Sequence, residues 1–149
     1  MKTEYLVDVS DYHPLSFIHE YLEEHPDTYV AQIPKLPGYL ILSTGYIYSN
    51  RCDKLLKTSA CKGNHYYCRT RIKYDGTYRN YRIHRLVAEA FIHNPKNLTD
   101  VDHKNGNRSD NRLENIRWLS HKDNMNNLEC HRGKKAILED CDEASVFSK

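Results

Sequence analysis

Apolar and polar positions change period along this chain, and each change marks an element. Leu15, Ile18 and Leu22 recur at helical spacing beside Phe17 and Tyr21, while Glu20, Glu23 and Glu24 fill another face. Pro14 suits a first helical turn and His25-Pro26 ends the segment, which predicts an accessory helix packed on the body. After an irregular stretch with Pro34, Pro37 and Gly38, Tyr39-Leu40-Ile41-Leu42 and Tyr46-Ile47-Tyr48 flank Ser43-Thr44-Gly45 and predict a hairpin. A second hairpin is expected from Tyr66 to Ile83, where alternation in Cys68-Arg69-Thr70-Arg71-Ile72-Lys73 meets the turn pair Asp75-Gly76. Arg85–Phe91 reads as a short helix with Leu86, Ala90 and Phe91 toward a core, stopped by His93-Asn94-Pro95. Then come a strand at Val101–His103, a polar loop turned by Asn105-Gly106, a returning strand at Asn115–Leu119 and a helix from about His121 to Glu129. Ser120 with Asp123 three residues on resembles a capping box for that helix. Ala136–Asp140 carries a weak helical pattern in the tail.

The expected fold is α+β: an N-terminal helix, antiparallel β-hairpins and a C-terminal ββα unit. Its segments are an accessory helix region (1–31), a basic hairpin region (32–83), the ββα unit (84–129) and a tail (130–149). A chain of 149 residues can support one core, burying about two-thirds of the surface its unfolded form exposes. With 12 Tyr against 3 Phe, that core must draw on Tyr bodies, Leu, Ile and Val.

Charge sharpens the picture. The net +2 conceals −6 over residues 1–31, +11 over 32–135 and −3 over 136–149. A basic body between acidic ends attracts polyanions. On the second hairpin the exposed face is expected to carry Arg69 or Arg71 with Arg79 and Arg82, interleaved with Tyr, a pattern suited to DNA phosphates or a major groove. No apolar run approaches the roughly 18 residues that span a bilayer. Met1–Ser10 holds Glu4 and Asp8 and lacks a signal-peptide core, so an intracellular protein is expected. Five Cys, an odd number with no C-x-x-C pair, suggest reduced thiols rather than a disulfide framework or structural zinc.

The chemistry concentrates after Val101. Asp102 and His103 are adjacent, so an extended segment points them to opposite faces. Asn124, on the first turn of the last helix, can return toward Asp102. A carboxylate and an amide oxygen suit Mg²⁺, which keeps several waters and accepts phosphate oxygens. His103 can take a proton from water near neutral pH. A nucleophile generator and a cation are the two needs of phosphodiester hydrolysis.

These blocks carry a resemblance. Asp102-His103-Lys104-Asn105-Gly106-Asn107, Asp110-Asn111, Leu113-Glu114-Asn115-Ile116-Arg117-Trp118 and Asn124 look like the motif of phage and intron-encoded HNH homing endonucleases. Ile83-His84-Arg85-Leu86-Val87-Ala88 with Phe91 resembles the element preceding that motif. Pro37-Gly38-Tyr39 and Ser43-Thr44-Gly45-Tyr46-Ile47-Tyr48-Ser49 resemble the small modular segment that opens many such proteins. The likeness spans about residues 33–128. It implies a ββα-metal (His-Me finger) nuclease unit with one divalent cation, Mg²⁺ or Mn²⁺, and products with 5′-phosphate and 3′-hydroxyl ends. In it Asp102 and Asn124 are metal ligands, His103 is the general base, and Asn115 braces the loop that orients His103. Double-stranded DNA is the expected partner, with Arg69, Arg71, Arg79, Arg82, His84, Arg85, Lys104 and Arg117 as candidate contacts. His84 can instead pack at the helix start. No protein partner is implied.

Two departures stand out. About twenty acidic-leaning residues follow the motif where many relatives carry a helix-turn-helix-like module, so target recognition is expected to fall on the basic hairpins. The acidic N-terminal helix is also outside the shared pattern. The main alternative is a catalytically inactive DNA-binding regulator on the same scaffold; a zinc-stabilised nucleic-acid module is a weaker one.

Overall fold

A computed structural model describes residues 1, 6–8, 16–59 and 67–133. The start of the first predicted helix and the tail pattern at Ala136–Asp140 lie outside the described residues. Helix α1 (Phe17–Glu24) lies against a four-stranded antiparallel sheet in the order β1 (Val30–Gln32), β2 (Tyr39–Leu42), β3 (Ile47–Ser49), β4 (Lys54–Leu55). A second antiparallel sheet joins β5 (Thr58–Ser59), β6 (Arg69–Tyr74) and β7 (Thr77–Arg82). Helix α2 (Ile83–Phe91) follows directly, then the pair β8 (Asp100–His103) and β9 (Ile116–Leu119), and helix α3 (His121–Gly133).

The run Leu40-Ile41-Leu42 is apolar without alternation because both faces of its sheet are covered. Leu40 and Leu42 pack with Val30, Tyr48 and Ile18 under α1, while Ile41 and Ile47 turn to the other side. There they meet Ala31, Ile33, Ile72, Val101, Ile116 and the buried residues of α2 in one core. Helix α2 is the hub. Ile83, His84, Leu86, Val87, Ala88, Ala90 and Phe91 are all buried, so the helix is enclosed on most of its circumference. It begins two residues before the predicted Arg85, directly off β7, where the Ile83 N–H donates to the Cys68 carbonyl at 3.0 Å.

Both hairpins form where their turn residues predict. Gly45 and Gly76 sit at φ +89° and +75°, in the left-handed region that glycine enters without a Cβ penalty. β1, β4 and β5, of two or three residues each, were not anticipated. Asp53, in the turn before β4, accepts from the Phe17 N–H at 3.0 Å and from the Tyr48 hydroxyl at 2.6 Å. It thereby satisfies a donor at the α1 terminus, which its own N-cap Ser16 leaves unmet. The thiol expectation needs one correction. Cys52 is exposed and free, but Cys68, packed in the core as a small apolar residue, is disulfide-bonded. An odd count with scattered spacing carries no signal for such a pair. Among the described residues no helix is long and apolar enough to cross a membrane.

Candidate active site

The β8–β9 hairpin and α3 bring the predicted site residues to two faces of one small unit. In β8 Val101 and His103 turn inward while Asp100 and Asp102 turn out, as strand alternation requires. The register pairs Asp102 with Arg117, and His103 with Ile116.

On the outer face, the Arg117 Nε and Nη2 groups donate to Asp102 Oδ2 at 2.9 and 2.8 Å. Asn124 Nδ2 donates to Asp100 Oδ2 at 2.7 Å, and His121 Nδ1 lies 3.0 Å from the same oxygen. The Asn124 amide, then His121 and Thr99, hold the Asp100 carboxyl below its ordinary range. The carboxylate that meets Asn124 is therefore Asp100, two residues before Asp102 on the same face. Sequence reasoning passed over it, although period-two spacing from Asp102 carried the signal. Helix α3 starts as predicted, with the Asp123 N–H donating to Ser120 Oγ at 3.1 Å and the Ser120 hydroxyl donating to Asp123 Oδ2 at 2.7 Å.

On the inner face His103 is 3% exposed. Its Nε2 lies 3.0 Å from Asn111 Oδ1, and the Asn111 Nδ2 group faces the Ser109 carbonyl at 3.4 Å. With the amide oxygen toward the ring, Nε2 carries the proton and Nδ1 the lone pair. The His84 ring lies 5.0 Å from that of His103, and Tyr67 flanks both, at 4.5 and 6.0 Å between centroids. The guanidinium carbons of Arg108 and Arg82 sit 4.7 and 5.3 Å from the Tyr67 ring centre. Burial lowers the His103 pKa, opposed by Asn111 and Asp102. Burial, then His103, Arg82, Arg85 and Arg108, brings His84 down to about 3. Both rings are neutral at physiological pH. His84 is 2% exposed and its Nδ1 has no hydrogen-bond partner among the described residues. Of the two roles open to His84, packing is the one its position supports. Asn111 and Tyr67 had no assigned role in the sequence, since loop closure brings the first to His103 and the packing of the segment before β6 brings the second.

Asn115 sits at the centre of the loop between the strands. Its Oδ1 accepts from the Asn105 N–H at 3.0 Å, while Nδ2 donates to Asn105 Oδ1 at 3.0 Å and to the Asp110 carbonyl at 2.8 Å. Asp110 is clamped in turn by Arg112 through Nε and Nη2, each at 2.8 Å, which keeps its carboxyl ionised below the usual range.

The cations divide by sheet face. Pairings Arg69–Arg82, Arg71–Asn80 and Lys73–Tyr78 share the outer face of the β6–β7 ribbon, opposite buried Thr70 and Ile72. Arg71 lies 4.6 Å from the Tyr78 ring centre. Arg79, expected beside Arg82, instead pairs with Ile72 on the other face, because strand residues three apart point oppositely, and it lines a groove with Lys35 and Arg85. Arg85 also donates to the Thr99 carbonyl at 2.9 Å. Lys104 is exposed at the start of the loop.

Hard oxygen donors on the outer face fit a cation that keeps much of its water shell. Both Arg117 bonds land on one oxygen of Asp102, and Asn124 bonds Asp100 through its nitrogen, which turns its amide oxygen elsewhere. Among the described residues no three His, Cys, Asp or Glu side chains cluster as a metal set.

A strand ending in Asp-His, a loop tied by a buried asparagine and a capped helix returning another asparagine make up the ββα unit that the sequence resemblance implies. Residues 81–126 match the family model described as HNH endonuclease. Among solved structures, the one titled "DNA binding and cleavage by the HNH homing endonuclease I-HmuI" superposes with a TM-score of 0.61 at 30% identity, covering 80% of this chain and 65% of that one. In sequence, DNA endonuclease I-HmuI of Bacillus phage SP01 is 35% identical over 89 residues, 60% of this chain and 50% of that protein. An uncharacterized HNH endonuclease of Acanthamoeba polyphaga mimivirus is 42% identical over 89 residues, 60% of this chain and 26% of its own length. The chain thus spans between about a quarter and a half of the curated relatives it matches. Nucleases of this family generally use a divalent metal.

Proposed function

We propose that the chain is a divalent-cation-dependent endonuclease that hydrolyses phosphodiester bonds in double-stranded DNA inside the cell, in the manner of the homing endonucleases it resembles. The single observation that carries this reading is the state of His103: a buried, neutral imidazole anchored through Nε2 by Asn111, one residue from the outward carboxylate Asp102.

With Nε2–H committed to Asn111, Nδ1 is the nitrogen that accepts the proton of the attacking water. Neutrality keeps that lone pair available throughout the physiological range. Asn115 fixes the loop that begins at His103 and so limits the swing of the ring. Asp102 and Asn124 would hold Mg²⁺ or Mn²⁺, with Asp100 orienting the Asn124 amide. When bound, the cation supplies positive charge against the phosphate and the departing oxygen. Arg117 holds the Asp102 carboxylate in place. Arg69, Arg71 and Arg82 on the outer ribbon, with Lys104 near the site, would track the DNA backbone.

Supercoiled plasmid incubated with Mg²⁺, with and without EDTA, tests the proposal. His103→Ala and Asp102→Ala are expected to slow cutting on the order of 10²–10⁴-fold while gel-shift affinity is kept. Cutting by either variant at the wild-type rate defeats the site assignment. Binding by a wild-type protein that never cuts favours the inactive regulator.

A further inference from the structure

The hairpin of the N-terminal sheet touches the nuclease loop at one place. The Ser43-Thr44-Gly45 turn lies under the segment 111–113, where the Leu113 N–H donates to the Ser43 carbonyl at 2.8 Å. A Cβ built on Gly45 would fall 2.9 Å from the Asn111 carbonyl oxygen, 3.0 Å from Asn111 Cβ and 3.1 Å from its carbonyl carbon. Side-chain carbons do not approach backbone that closely, so the contact exists only because residue 45 is glycine. Asn111 is itself 7% exposed, and its other end holds His103 Nε2 at 3.0 Å.

We propose that the Ser43–Gly45 turn is a positioning element for the nuclease site, with Gly45 setting the height of Asn111 and, through it, the orientation of His103. The inference rests on the nuclease reading for its effect on rate, but not for its effect on the imidazole. Gly45 touches neither DNA nor the reacting atoms in this scheme. It acts by letting two backbones meet. A methyl group there pushes the Asn111 backbone away by a few tenths of an ångström or more, and the amide oxygen moves with it. The Nε2 bond then loosens, and the ring is free to exchange its proton between the two nitrogens.

Two other glycines supply the control. Gly38 and Gly76 occupy the same left-handed region, at φ +83° and +75°, yet a Cβ on either meets nothing within 4 Å. Gly38→Ala therefore carries the backbone strain of Gly45→Ala without the collision.

The experiment compares full-length wild type, Gly45→Ala, Gly38→Ala, Asn111→Ala and the Gly45→Ala/Asn111→Ala double variant. Histidine ¹⁵N spectra without DNA or metal report the ring tautomer, and single-turnover cleavage at saturating plasmid is read beside apparent Kd. Expected for Gly45→Ala are loss of the pure Nε2–H pattern at His103 and a slowing on the order of ten- to a hundred-fold. Its Kd should stay within about two-fold, since no phosphate contact is removed. Gly38→Ala should match wild type in both readouts. In the Asn111→Ala background, Gly45→Ala should add nothing, because both act through one link.

A wild-type tautomer in Gly45→Ala, an equal effect from Gly38→Ala, or additive losses in the double variant overturns the proposal. If Gly45→Ala does not fold, Asn111→Ala decides alone: an unchanged His103 pattern breaks the link and the proposal with it. Should wild type cut no DNA while Gly45→Ala still shifts the tautomer, the positioning inference stands and the nuclease reading fails.

Discussion

At the scale of single residues, the paired histidines set a pH signature. His84 is held neutral, its pKa lowered from 6.5 to about 3 mainly by burial. In the unfolded chain it takes a proton below about pH 6.5, while the folded protein refuses it down to about pH 3. The unfolded state therefore binds more protons across that window, and stability rises with pH through it. Its contribution is complete above pH 6.5 and is lost progressively on acidification toward pH 3. Urea unfolding at a series of pH values should show this as a slope of at most about 1.4 kcal/mol per pH unit for the one group. His84→Phe should flatten that part of the curve, leaving the smaller same-sign contribution of His103. A curve unchanged by the substitution means that His84 titrates normally. Some of this site was readable in advance. Asp102, His103 and Asn124 stand out because their spacing fits a strand and a helix start, and Asn115 stands out only through the family resemblance. Asn111 does not, because its meeting with His103 depends on how an asparagine-rich loop closes and turn chemistry hides an individual role; Tyr67 does not, because it reaches the ring from just before β6, far away in sequence.

At the scale of elements, the ribbon of β6 and β7 separates Arg79 from Arg82, expected together on one exposed face. Arg69, Arg71 and Arg82 share one exposed face, and Arg79 lies on the other. If the outer face follows the DNA backbone, Ala at any of those three should reduce the slope of log affinity against log salt by about 0.9, one phosphate each. Arg79→Ala should change the slope less. Fluorescence anisotropy of a labelled duplex between 50 and 200 mM salt, with concentrations chosen by the experimenter, measures both. Equal losses at all four positions would falsify the one-sided ribbon. The long hairpins and the capped helix were legible because local chemistry specifies them: Asp75-Gly76, Ser43-Thr44-Gly45, and Ser120 with Asp123. β1, β4 and β5 were not. Strands of two or three residues carry too little period to read, and their pairing is imposed by the neighbours they meet. The start of α2 was misjudged for a related reason, since Ile83 and His84 are drawn into the helix by burial rather than by a cap.

At the scale of the whole molecule, one core joins the modular N-terminal sheet, the ribbon, α2 and the β8–β9 hairpin. The polar helix α3 is a different kind of part. The described ties from its first turn run through Asp100, which bonds both His121 and Asn124. The candidate site is thus anchored on a rigid body at one side and on a few polar bonds at the other. This division was only partly visible beforehand, because a hydrophobic pattern marks what will be buried but not which buried faces meet.

Trp118, the one tryptophan of the chain, stands at the junction between that core and the β8–β9 hairpin. It packs against the main cluster and donates its indole N–H to the Ile92 carbonyl, at the end of α2, at 3.2 Å. The molecule therefore contains a built-in fluorophore whose emission reports whether the hairpin is docked. Denaturation followed at the indole and by far-ultraviolet circular dichroism should give coincident transitions, with a red shift as the ring reaches water. An indole that shifts first would reveal the β8–β9 hairpin peeling away before the remainder melts.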